Sequence, residues 1–80
     1  MGRRGTEISR IFTAYVEFDP ETDLYVAVVP GIPGAHTEGA TLDELRENLK
    51  EVLELCQEEG VLPDETPQFV GFQQIELAGQ

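Results

Sequence analysis

Apolar residues alternate in two stretches of the chain and recur at helical spacing in a third. In residues 8–18, Phe12, Ala14, Val16 and Phe18 fall on one face of an extended strand, with Thr13, Tyr15 and Glu17 on the other. Residues 24–29 predict a second strand, in which Leu24, Val26 and Val28 extend the same buried face. Asp19-Pro20-Glu21-Thr22-Asp23 joins the two. Proline presets the backbone angle of a type I turn and aspartate accepts from nearby amides, so the link predicts an antiparallel hairpin. This register leaves Tyr15, Tyr25, Ala27 and Val29 on the other face. A sheet with a helix on one side and apolar groups on the other commonly oligomerises through its bare side, so these four residues are the expected oligomer face.

Pro30-Gly31-Ile32-Pro33-Gly34 must interrupt the second strand, because its prolines lack ladder donors. Residues 35–38 are a candidate third strand. A helix follows over 42–59. Thr41 is a natural N-cap and Glu44 stands three residues on, the spacing of a capping box. Leu42, Leu45, Leu49, Val52, Leu53 and Cys56 share one arc at about 100° per residue. Gly60 fits the position just past the helix and Pro63 blocks continuation. Residues 61–68 form a loop and residues 69–77 a last strand. The alternation of that strand is imperfect, with Gly71 marking a possible bulge. The predicted fold class is α+β: an antiparallel sheet of three to four strands with one helix on one face, in the order ββ(β)αβ.

Length allows one domain, assigned to residues 8–80 behind a flexible polar leader at 1–7. Charge changes the picture more than length does. The chain carries a formal −11. Arg3, Arg4 and Arg10 sit near its start, and beyond them only Arg46 and Lys50 oppose fifteen acids. Such a body repels a phosphate backbone and an anionic bilayer, so neither nucleic acid nor membrane is an expected partner. The longest apolar run, Leu24–Val29, is far below the roughly 20 residues of a membrane span. The single cysteine, on the core side of the helix, reads as a buried reduced thiol, which fits a cytoplasmic protein.

Asp43, Glu47, Glu51, Glu54 and Glu58 form a stripe on the helix face opposite the leucines. Neighbours at three- and four-residue spacing within it are like-charged and repel. Two readings stand: a solvated face that keeps the domain soluble, or a docking surface for a basic partner. Catalytic chemistry is sparse. His36, the only histidine, could share a strand face with Glu38 as a general base and its acid partner; the plainer reading is an exposed edge histidine. One His and one Cys twenty residues apart make no zinc pattern, and no calcium-loop motif occurs. The expectation is a protein that is not an enzyme and uses no cofactor or metal.

Residues 24–55 resemble the N-terminal domain type of the HicB-like antitoxin family. Tyr25-Val26 precede Pro30, Ile32-Pro33-Gly34 follow, and Gly39, Thr41, Glu44, Asn48 and Glu51 match the family's helix start and interior. Gly31, Ala35, Ala40 and Leu45 depart from its usual acid, cysteine, acid and alanine. The resemblance implies a partial double-stranded-RNA-binding-like fold that masks a small basic ribonuclease of the HicA type. The family's C-terminal DNA-binding domain has no counterpart before Gln80, so operator binding is not carried over. The alternative is a stand-alone oligomeric scaffold or small-ligand module without a toxin.

Overall fold

The computed structural model describes residues 10–79, so the expected leader at 1–7 and the first two residues of the expected first strand lie outside the described residues. Three strands come first: β1 (Tyr15–Asp19), β2 (Leu24–Val28) and β3 (His36–Gly39). One helix follows, α1 (Leu42–Glu58). The sheet is antiparallel in the order β1-β2-β3. The fold is therefore α+β, in the order β-β-β-α.

The first strand is shorter than its alternation predicts. Its partner explains why. Tyr15 pairs with Val28, and Pro30 lies two residues beyond that partner, so residues before Tyr15 have no ladder to join. They join no strand, and Phe12 and Ala14 pack against the core.

The face assignment of β2 is corrected outright. Asp19 pairs with Leu24 across a loop of four residues, Pro20–Asp23, rather than five. Asp23 takes the left-handed conformation (φ 60°), its amide donates to Asp19 O at 2.8 Å, and Glu21 N donates to Asp19 Oδ1 at 2.9 Å. One residue fewer in the loop inverts the parity of the register. Val16 now faces the same side as Ala27, and Phe18 the same side as Tyr25, with ring centroids 5.1 Å apart. Ala27 and Val29 are each only 3% exposed, on the side that the helix covers. Of the four residues expected on the bare face, only Tyr15 is there. Val26 and Val28 take the places assigned to Ala27 and Val29.

Pro30–Gly34 is the β2–β3 turn. Val29 N donates to Ala35 O at 2.8 Å and Ala35 N to Ile32 O at 3.1 Å, which folds Ile32 inward. Val29, Ile32, Ala35 and Cys56 form the core centre, with Leu49, Val52, Leu53 and Leu62 around them. Both helix ends are closed by their own chemistry. Glu44 N donates to Thr41 Oγ1 at 3.0 Å, and the Glu44 carboxylate accepts from Ala40 N at 2.6 Å. At the other end Gly60, at φ 73°, donates to Gln57 O while Val61 N donates to Cys56 O, the paired bonds of a Schellman motif.

The helix lies over β3 and part of β2 and does not reach β1. Gly39 permits the close approach: a Cβ there would stand 2.6 Å from Leu45 N. Asn48 Nδ2 donates to Glu38 O at 2.8 Å, tying the helix to β3. Beyond the helix, the expected strand at 69–77 does not form and pairs with nothing among the described residues. Its ladder partner is missing, and propensity alone does not make a strand.

Candidate functional site

Three surfaces carry the chemistry left to this domain. The first is the outward side of α1. Asp43, Glu47, Glu51, Glu54 and Glu58 are all exposed, as the helical spacing predicts. No base stands in the last turn of the helix to offset them. The packing that buries Leu45 and Cys56 on the opposite side forces these carboxylates outward together.

The second is the bare face of the sheet. Tyr15, Glu17, Val26, Val28, His36 and Glu38 line a shallow concavity of about 640 Å³. The register explains the set: Tyr15, Val28 and His36 lie in one cross-strand row, and Glu17, Val26 and Glu38 in the next. His36 and Glu38 thus share a face, as alternation requires, and both are exposed. Their neighbours in the concavity are Tyr15, Glu17, Val26, Val28 and Thr37. Phe69 and Phe72 of the segment after the helix gather on Tyr15, with centroids 6.3 and 6.2 Å from its ring. The side chains of Tyr25, Ala27 and Val29 lie on the opposite face, with Val16 and Phe18.

The third surface was missed by sequence reasoning. Because α1 stops short of β1, a groove of about 730 Å³ opens between them. Phe12, Ala14 and Val16 form one wall and Leu42, Leu49 and Leu53 the other. Arg10, Arg46 and Lys50 also line it, beside Asp43 and Glu47. These three are all the basic side chains among the described residues. Arg10 is held there by bonds to Pro63 O at 2.9 Å and Asp64 O at 3.4 Å, with its guanidinium 5.0 Å from the Phe12 ring centre. A sequence signal for this groove existed in the flank position of Arg46 and Lys50 beside the leucine arc.

Among the described residues, no group of three or more His, Cys, Asp or Glu side chains could hold a metal ion. Cys56 is buried and free. Among the described residues no helix is long and apolar enough to cross a membrane.

No family model matches the chain, and no solved structure matches it. Curated relatives do. A UPF0150 protein of Thermotoga maritima is 49% identical over 70 residues, covering 88% of this chain and 93% of the relative. A UPF0150 protein of Archaeoglobus fulgidus is 41% identical over 68 residues, covering 82% and 93%. One from Synechocystis is 39% identical over 64 residues, covering 80% and 90%. At this identity, sustained along nearly the whole length of each relative, the chain belongs to the UPF0150 family.

Proposed function

We propose that the chain is a HicB-like antitoxin, or a stand-alone relative of one, which neutralises a small basic HicA-type mRNA interferase by masking it. It is non-catalytic in this reading and acts in the cytoplasm, where the buried Cys56 thiol stays reduced. The observation that carries the proposal is the exposed carboxylate stripe Asp43, Glu47, Glu51, Glu54 and Glu58 on a chain of formal charge −11. An enzyme that binds RNA must present cations to it. A surface of fixed anions steers such a protein to itself and competes with RNA for the same cations. The same field argues against direct nucleic-acid binding by this chain. The match of Tyr25-Val26, Pro30, Ile32-Pro33-Gly34, Gly39, Thr41 and Glu44 to the HicB-like pattern supports the choice of partner class.

The test is co-purification with the small basic protein encoded beside the gene, over a salt series. The expected result is a complex at low salt whose affinity falls as salt rises. Triple reversal Glu47→Lys, Glu51→Lys and Glu54→Lys should weaken it at least tenfold with the helix content unchanged. Absence of any complex at low salt would sink the proposal. The second reading, an oligomeric scaffold without a toxin, is favoured by the apolar groups left half-exposed on β1, Val16 and Phe18. It expects no small basic reading frame beside the gene and a stable oligomer of the chain alone.

A further inference from the structure

The groove beside β1 gathers a charge that the rest of the domain lacks. The described residues carry fifteen acids; Asp43 and Glu47 line the groove and thirteen lie elsewhere. All three bases among them, Arg10, Arg46 and Lys50, line it. Three bases thus meet two acids at the groove, and elsewhere the acids meet no base. The order around α1 sharpens the contrast. At about 100° per residue, Leu42 and Leu53 are followed by Arg46 and Lys50, and only then by Asp43 and Glu47. The cations stand next to the leucine wall, with the carboxylates one step further out in the acidic stripe.

These cations also have donors to spare. Among the described residues neither Arg46 nor Lys50 makes a side-chain hydrogen bond. Arg10 uses Nη2 for both of its bonds, to Pro63 O and Asp64 O, and keeps the N–H groups of Nε and Nη1. Alongside them runs apolar surface, with Phe12, Ala14 and Val16 facing Leu42, Leu49 and Leu53. From Leu42 to Leu53 this wall extends about 16 Å along the helix.

We propose that the groove binds a small anionic amphiphile, an alkyl carboxylate, with its chain along the apolar walls and its head group at the lip formed by Arg46 and Lys50. This inference goes beyond the masking of a toxin and does not depend on it.

Size and charge together select this occupant. A space of about 730 Å³ falls within the roughly 300–1,000 Å³ of small-molecule sites, which are likewise mostly apolar with a few polar groups that fix one end of the ligand. Three cations against two carboxylates match one negative charge, which a carboxylate carries and a phosphate monoester exceeds. An acidic protein, an anionic bilayer or a second copy of this chain would bring its charge over the thirteen carboxylates outside the groove and be repelled. A ligand small enough to lie inside meets only the lining. A cationic amphiphile has the opposite preference: the outer stripe attracts it, while Arg46 and Lys50 repel it from the lip.

The experiment titrates dodecanoate, below its micelle concentration, into the full chain and follows calorimetry and methyl NMR. The expected result is one site per chain, with shifts at the methyls of Val16, Leu42, Leu49 and Leu53. Dodecyltrimethylammonium, the same chain with a cationic head, should bind at least tenfold more weakly, although the protein is acidic. Octanoate should also bind at least tenfold more weakly, because apolar contact grows with the chain buried. Arg46→Gln with Lys50→Gln should lower the dodecanoate affinity at least tenfold with unchanged circular dichroism. Both side chains are exposed, so this variant keeps its fold. Absence of saturable binding overturns the proposal. So does a cationic amphiphile that binds as tightly, or a glutamine variant that binds like the wild type. Shifts at Val26 and Val28 instead would move the site to the bare sheet face and overturn it as well. Groove methyls already shielded in a ligand-free dimer would overturn it by giving the groove to a second copy. Toxin co-purification can fail while dodecanoate binds, and dodecanoate can fail while the toxin still binds.

Discussion

The two edges of one small sheet end differently. At β3, α1 approaches until Gly39 nearly touches Leu45 N, Asn48 holds Glu38 O, and Leu45 is 2% exposed. At β1 the helix is out of reach, and Val16 and Phe18 are 46% and 50% exposed although they sit on the covered side of the sheet. β1 carries Val16 and Phe18 of its own, whereas β3 has no apolar side chain and the residue buried at that edge is Leu45 of α1. The difference is whether something lies above the edge. An alternating pattern therefore specifies which way a side chain points, while burial depends on a neighbour that the local pattern does not encode.

The contrast can be broken most forcefully at the β3 side. Leu45→Ala removes a side chain with no room to relax and should cost about 2–5 kcal/mol in urea unfolding. Val16→Ala, at the open edge, should cost under about 1 kcal/mol. Equal losses at the two sites would show that the edges are not different in kind. Next in size is the helix start: Thr41→Ala removes the acceptor for Glu44 N and should lower stability by about 1 kcal/mol, with thermal melting as the readout. The smallest effect lies on the carboxylate stripe, where Glu51→Lys relieves repulsion from Glu47 and Glu54. It should stabilise by a few tenths of a kcal/mol at low salt, fading as salt is added.

Much of this was legible in the residues, and what was not has particular causes. The helix could be read because its signals are local: Thr41 and Glu44 at one end, Gly60 at the other, leucines at a fixed spacing between. The acidic stripe followed from the same spacing. The bare sheet face could not be read, because it depends on whether Asp19 belongs to the turn or to the strand. With Asp19 paired to Leu24, Val26 and Val28 exchange places with Ala27 and Val29. The first strand was overextended because the effect of Pro30 falls on its partner, not on itself. The segment at 69–77 has strand-forming residues but pairs with no strand among the described residues, so its pattern describes a capacity rather than a conformation. The groove escaped notice because it is made by the length of a helix relative to a sheet.

Gly39 has a mechanical consequence. Where main chain rests on main chain, the spacing between layers is set by hydrogen and backbone atoms, and no rotamer change can adjust it. The near end of α1 thus acts as a fixed fulcrum, while its far half leans on deformable side chains such as Val52 and Leu53. A side chain introduced at Gly39 would therefore have to lift the near end of α1 off β3, because no change of rotamer could absorb the clash with Leu45 N.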